Sequence, residues 1–424
     1  MGSAGLRILN AGLGFAVAIV LARALGSDGY GLYSAAFVTA SICAIAVQLG
    51  LPNLVMRETA IAIVSKDLGH LRAVWVWAGR SSILFSVVML AVGLSALLLL
   101  KNELELEQIY TYGLALALIP LFAFAAIRAG ALRGLQHVVL AQLPEMIVKP
   151  GVMLVFALML GLAVPATASN AMGMQLIATG CAVLLGTILL MKYRPAQLNK
   201  AIKYSLDSKD VFWKAALTMG FAAGMNHINN YSDILIIGVF RPVEEVGLYR
   251  ISYQISILCS FGLQIVSVVF AQSYVHLYRK GNYSELQALL TKGAIIATSV
   301  ALIVALPWFV FGAFLLGWLF GPDFIASWPS TMILIVAQII NASFGAVGML
   351  MQMTGHERYV ARFMLLSAAI NLLLNLAIIP FYGALGAAAT TLVTLLIWNI
   401  SLGWMAWRHL SLNCHVTSLF SVIR

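Results

Sequence analysis

The residues of this chain that can do chemistry are few, and they stand where polar chemistry is costly. Glu145 and Lys149 are four apart inside the apolar stretch 138–163, on one helix face with the acid toward the amino terminus. Such a pair can close on itself as an internal ion pair. In the other reading Lys149, with Arg128 and Arg133 below it, lines a cavity and offers charge and donors to phosphate oxygens.

A second concentration is Asn226-His227-Ile228-Asn229-Asn230-Tyr231-Ser232-Asp233, too polar for a helix that faces lipid. Asn226, Asn230 and Asp233 follow i, i+4, i+7 and share a face, with His227 turned about 100° away. The pattern suits a hydrated cavity wall or, alternatively, hydrogen bonding between helices. Asp233, Glu145 and His227 are the candidates for proton or Na⁺ coupling, since an ionisable group inside a span costs about 2.5 kcal/mol or more unless it has a partner or a function. No metal-ligand spacing accompanies His227. Arg57-Glu58 reads as a solvated anchor or a phosphate contact. Arg23 is placed to assist release of a phosphate head group, and Asn10, the repeat mate of Asn226, to face it across a cleft.

The elements that must position these residues follow from composition. Of 424 residues 62% are apolar and 9% charged, against roughly 45–50% and about 25% in a soluble domain. Mean hydropathy is +0.97. These values exclude a soluble enzyme, a nucleic-acid partner and a disordered chain, and imply an all-α polytopic membrane protein. Apolar runs between charges and Gly/Pro punctuation predict twelve spans, near 5–25, 30–56, 73–100, 108–129, 138–163, 170–191, 212–240, 246–275, 290–320, 328–354, 358–381 and 384–408. No cleavable leader is read; the first span is entered by Leu6. The four cysteines (Cys43, Cys181, Cys259, Cys414) have neither paired nor metal-ligand spacing and read as packing residues.

The net charge of +10 sorts by side. With a cytoplasmic amino terminus, only Arg23, Lys101, Arg241 and Arg250 fall outside and Lys149 within a span. Every other Lys and Arg is cytoplasmic, so both termini are expected there. The acidic run Glu103, Glu105, Glu107 reads as a solvated outer loop.

The chain also repeats itself at an offset of 216. Gly31-Leu32-Tyr33 returns as Gly247-Leu248-Tyr249, Asn10 as Asn226, Cys43 as Cys259 and Gln48 as Gln264. With a one-residue slip Lys66–Leu71 falls on Gly281–Leu286, and further on Arg133-Gly134 matches Thr354-Gly355. An even number of spans per half predicts a parallel repeat of two six-helix lobes about a cleft. The lobes are expected at 1–191 and 212–410, with a Lys-rich cytoplasmic linker at 192–211 and a tail at 411–424.

The segment Ala22-Arg23-Ala24-Leu25-Gly26-Ser27-Asp28-Gly29-Tyr30-Gly31-Leu32-Tyr33 resembles an opening motif of polysaccharide-export flippases in the multidrug/oligosaccharidyl-lipid/polysaccharide (MOP) exporter superfamily. Leu49-Gly50-Leu51-Pro52 with Val55-Met56-Arg57-Glu58, Leu132-Arg133-Gly134-Leu135, and Tyr382-Gly383-Ala384-Leu385-Gly386-Ala387-Ala388 are similar to that family too, in order along the chain. The resemblance implies a fold like that of multidrug (MATE) transporters. It further implies that a polyprenyl-pyrophosphate-linked oligosaccharide is moved from the inner to the outer leaflet of the bacterial plasma membrane. Partners implied are that lipid-linked oligosaccharide, the bilayer and polysaccharide assembly machinery, with no enzymatic step and no cofactor beyond the coupling ion.

Rival functions separate on residues. A cation-coupled multidrug exporter of the same superfamily favours intramembrane acids; here Glu145 and Asp233 are offset by Lys149 and span-end arginines. A membrane glycosyltransferase or ligase needs a substantial outer loop with catalytic groups, and the outer loops are short. No Gly-Lys-Ser/Thr phosphate loop is present, which disfavours direct ATP drive.

Overall fold

The computed structural model describes residues 3–160, 164–196, 198 and 209–415. They are helical, with no strand among them beyond one isolated bridge, Leu160 to Val164. Most of the 192–211 segment, and the tail beyond 415, lie outside the described residues.

The helices are α1 (Ser3–Gln48), α2 (Leu51–Ser65), α3 (Leu68–Leu100), α4 (Leu106–Gly134), α5 (Val138–Leu143), α6 (Lys149–Ala157), α7 (Ala168–Tyr193), α8 (Lys209–Phe240), α9 (Val243–Cys259), α10 (Phe261–Arg279), α11 (Tyr283–Leu319), α12 (Trp328–Ser343), α13 (Val347–Met353) and α14 (Glu357–Leu410). Among the described residues eight are long and apolar enough to cross a bilayer, or nine if α9 and α10, bent by 43°, form one span. Crossing takes about 20 residues. With 46 and 54 residues, α1 and α14 are each long enough for two passages, and each is interrupted once, at Gly26 (φ 67°) and Gly383 (φ 53°).

Several expected spans are divided. The run 30–56 breaks at Leu49 and Gly50, both at positive φ. Gly50 there lies against α8, where an added Cβ would sit 2.2 Å from the Ala216 carbonyl. The run 246–275 breaks at Ser260, and 328–354 at Gly345 (φ 61°). The run 138–163 passes through a π-helical turn, Pro144–Val148, and α6 ends at Ala157. Pro144 and Pro150 lack amide hydrogens, and the Lys149 N–H reaches back to the Pro144 carbonyl, the five-residue step that widens the turn.

The chain forms two compact units, Met1–Tyr231 and Ser232–Arg424. Each repeats the other's local devices. Asp67 caps α3 by accepting the His70 N–H, and Asn282 caps α11 by accepting the Glu285 N–H. Glu107 accepts the Ala168 N–H at the start of α7, and Glu245 accepts the Ala384 N–H after the break in α14. The Asp67 and Asn282 caps recur at an offset of 215, and the Ala168 and Ala384 amides lie 216 apart as the sequence repeat requires. The glutamates that accept from those amides come from non-equivalent positions, on α4 in one unit and on α9 in the other.

The outer surface is apolar: Leu84, Leu98, Leu99, Ile303, Phe314, Leu373 and Phe381 are all exposed. Water would make this an aggregation face; hydrocarbon makes it the matched one. Small residues bring backbones close inside, as where Gly130 of α4 meets the Pro52 carbonyl of α2.

Candidate functional site

In the first unit the π turn displays Glu145 between two cations. The Glu145 carboxylate lies 3.2 Å from Lys149 Nζ and 3.7 Å from Arg128 Nη2. Arg128, on α4, is 4% exposed and reaches across to α7, where Nη1 donates to the carbonyls of Ala182 (3.2 Å) and Val183 (2.5 Å). Its guanidinium occupies the space a side chain at Gly186 would take, since an added Cβ would lie 2.1 Å from Arg128 Cζ. Lys149 Nζ also sits 5.4 Å over the ring of Phe122. Two cations thus share one carboxylate and leave one positive charge over. Lys149 and Glu145 are both half-buried while Arg128 is sealed, so Lys149 is the reachable cation of the cluster.

The other cations predicted with them go elsewhere. Arg133 folds back on its own helix, donating to the Ala129 carbonyl at 3.2 Å. Arg57 binds the neighbouring Glu58 at 2.7 Å, and buried Glu58 in turn meets His70 Nε2 at 3.1 Å. Arg23 is exposed and Asn10 half-buried on α1. His227 is exposed and its ring stacks on Tyr231 at 6.2 Å. The side chains of Asn226 and Asn230 lie outside the described residues.

In the second unit the centre is Asp233, buried at 4% exposure. It accepts from four side chains on three helices. Tyr249 Oη (2.5 Å) and Thr391 Oγ1 (2.9 Å) reach Oδ2; Asn375 Nδ2 (2.5 Å) and the adjacent Ser232 Oγ (3.4 Å) reach Oδ1. A second ring of bonds holds these donors. Asn371 Oδ1 accepts from Asn375 (3.0 Å) and Ser232 (3.2 Å), and Asn371 Nδ2 points to Thr394 Oγ1 at 3.4 Å. The carboxylate has donors but no cation of the protein against it among these contacts. Such a site can take up a proton, or a monovalent cation bound by carboxylate, amide and hydroxyl oxygens. Among the described residues no three His, Cys, Asp or Glu side chains converge as a metal site.

Tyr249, Asn371, Asn375 and Thr391 were not predicted. The signal was available for two of them: Asn371 and Asn375 are four apart in an apolar run, the same pattern that singles out the α8 asparagines. Tyr249 was visible only as the mate of Tyr33.

A family model described as "Polysaccharide biosynthesis protein" matches residues 3–270. A stretch of 167 residues is 24% identical to "Probable low-salt glycan biosynthesis flippase Agl15" of Haloferax volcanii, covering 38% of this chain and 34% of that protein. The chain spans between a third and a half of the length of the curated relatives it matches. Among solved structures it is similar to an inward-facing MATE multidrug transporter of the MOP superfamily, with a TM-score of 0.76 at 15% identity over 99% of this chain and 96% of that one. It is similar also to the lipid II flippase MurJ in an inward closed conformation, with a TM-score of 0.72 at 12% identity over 95% and 86%. These likenesses give the fold, that of MOP transporters.

Proposed function

The chain belongs to the polysaccharide biosynthesis protein family, and from that premise we propose that it is a secondary transporter. It flips a polyprenyl-pyrophosphate-linked oligosaccharide from the inner to the outer leaflet of a prokaryotic plasma membrane by alternating access. The observation that carries this reading is the surplus cation of the Arg128–Glu145–Lys149 cluster, set among membrane-length apolar helices. A half-buried lysine beside an already neutralised ion pair attracts an anion, and a pyrophosphate is the anion of a lipid-linked saccharide. The relative's printed role in glycan biosynthesis and the fold shared with a lipid II flippase support the same reading.

The polyprenyl tail stays in lipid while the head group passes through the protein, so no covalent bond is made or broken. Asp233 is the proposed coupling site, loading a proton or Na⁺ in one state and releasing it in the other. Moving one charge across the membrane is worth about 2.3 kcal/mol per 100 mV, enough to bias such a cycle. The Lys and Arg count supports a cytoplasmic position for both termini, and polysaccharide assembly machinery is the proposed partner.

The test is deletion of the gene followed by analysis of lipid intermediates. Accumulation of a complete lipid-linked oligosaccharide, reversed by the wild-type chain, is the expected result. Normal intermediates with increased sensitivity to cationic drugs would replace this reading with that of a multidrug exporter.

A further inference from the structure

We infer that the first unit holds a binding pocket for the proximal isoprenoid chain and phosphate of a polyprenyl phosphate, formed by α2, α3, α4 and α7 with Arg128 in its wall. The inference rests on the lipid-linked substrate proposed above and names where its lipid end is held. The pocket has a volume of about 180 Å³ and walls that include Trp75, Gly79, Phe124, Ile127 and Leu190. At about 30 Å³ per water this is room for a short branched hydrocarbon segment.

The polar groups in the wall are almost all committed. Trp75 Nε1 donates to Thr59, and Thr187 Oγ1 to the Val183 carbonyl. The uncommitted donors belong to one cation: Arg128 Nε and Nη2 are buried and make no hydrogen bond, although Nη2 has Glu145 at ion-pair distance. An apolar wall with spare donors on a guanidinium matches the junction of a hydrocarbon chain and a phosphate. It does not match a saccharide, whose buried hydroxyls would go unpaired at about 1–3 kcal/mol each. With Lys149 on the far side of Glu145, the cluster presents a net charge of +1 to the arriving anion.

Gly79 supplies a clean test. An added Cβ there meets nothing within 4 Å, so a leucine grows into the pocket without displacing backbone. Purified full-length protein in phosphatidylcholine nanodiscs is titrated with a long-chain polyprenyl phosphate lacking saccharide and carrying a diazirine on the chain. Photo-crosslinks are expected on α2, α3, α4 and α7. Gly79→Leu, which puts four carbons into the space, is expected to weaken binding by at least about tenfold with Tm unchanged, and Gly79→Ala, which puts in one, by no more than about fourfold. Should Gly79→Leu fail to fold, Ile127→Trp fills the same space from α4. Phosphatidylglycerol at equal concentration is expected not to compete.

Wild-type binding by the filled variants overturns the pocket, as do crosslinks confined to other helices or equal competition by phosphatidylglycerol. Transport is read separately. If the wild type binds as described but flips no lipid-linked oligosaccharide, the proposed function fails and the pocket stands. If the wild type flips and the filled variants bind normally, the pocket fails and the function stands.

Discussion

Tyr33 and Gln175 are joined by a 2.9 Å hydrogen bond from phenol to side-chain carbonyl across 142 residues, and Tyr249 meets Thr391 at 3.3 Å across the same separation. The second pair lies 216 positions after the first. The two halves therefore keep one tyrosine in one inter-helix role, but only the second unit adds a carboxylate to it. At Val17, the repeat position of Asp233, the first unit has no acid, and its charge is gathered instead at Glu145. One scaffold thus carries two different polar centres.

Removing the charge at Asp233 should separate coupling from folding. Asp233→Asn keeps the size of the buried hub but replaces one of its two charged acceptor oxygens with a donor nitrogen, set against either the Asn375 amide or the Tyr249 and Thr391 hydroxyls. Ion-dependent flipping in proteoliposomes is expected to fall by about one to two orders of magnitude, with a stability loss of about 1–3 kcal/mol. Transport that keeps its ion dependence would remove Asp233 from the coupling role.

The members of the Glu145 cluster should behave unequally. Glu145→Gln leaves Arg128 buried without its counter-charge, and an unpartnered buried charge costs about 3–5 kcal/mol, less here because Glu145 is 27% exposed. Lys149→Ala removes the half-buried cation and is expected to cost less than about 1 kcal/mol in stability. Its effect should fall on transport of the anionic substrate, as a raised KM. Thermal unfolding in detergent with parallel flipping assays checks both, and a double-mutant cycle reads the coupling between the two sites.

Gly383 is required by geometry twice over. Its φ of +53° breaks α14, and an added Cβ would collide with Glu245 Oε2, the group that caps the Ala384 N–H. Gly383→Ala is expected to lose about 1–3 kcal/mol from strain and the displaced cap. Glu245→Gln retains an acceptor and should cost less, while giving up the bond from Arg241 to a charged oxygen at 2.6 Å. Chemical or thermal unfolding of the three proteins gives the order.

Cys414 should resist alkylation until its cover is lifted. Beyond the end of α14, Asn413 is clasped by Gln287 through two bonds, of 2.7 and 2.8 Å, and the neighbouring thiol is buried. Burial pushes the Cys414 pKa up to about 12. The thiolate is the reactive form, and its fraction rises with pH toward that pKa, so at pH 8 only about one molecule in 10⁴ carries it. A chain with Cys414 as its only cysteine is expected to label with maleimide slowly at pH 8, and at least about tenfold faster when Gln287→Ala opens the clasp. Equal rates in the two proteins would place the thiol outside the cover described here.

Membrane residence, helical class and the internal repeat were legible from the residues alone, because each rests on a one-dimensional signal. Hydrocarbon demands long apolar runs, and a duplicated half repeats its Gly-Leu-Tyr at a constant offset. The Glu145–Lys149 pairing was legible as well, since a four-residue spacing survives even the π turn that carries it. Arg128 was identified as a cation near Lys149, but not as the residue that spans from α4 to α7.

What only the tertiary structure decided is which polar residues share a partner. Asp233 stood out as an acid in an apolar run, yet three of its four donors come from positions 16, 142 and 158 residues away. Helix breaks were hidden for a related reason. Gly50 and Gly383 bend the chain because another helix or a carboxylate occupies the space where a side chain would be, and a hydropathy profile records no neighbours. The sequence by itself determined that the chain must bury polar groups in a membrane. Packing determined how they are paired, because a hydrogen bond depends on distances across helices that spacing along one helix does not contain.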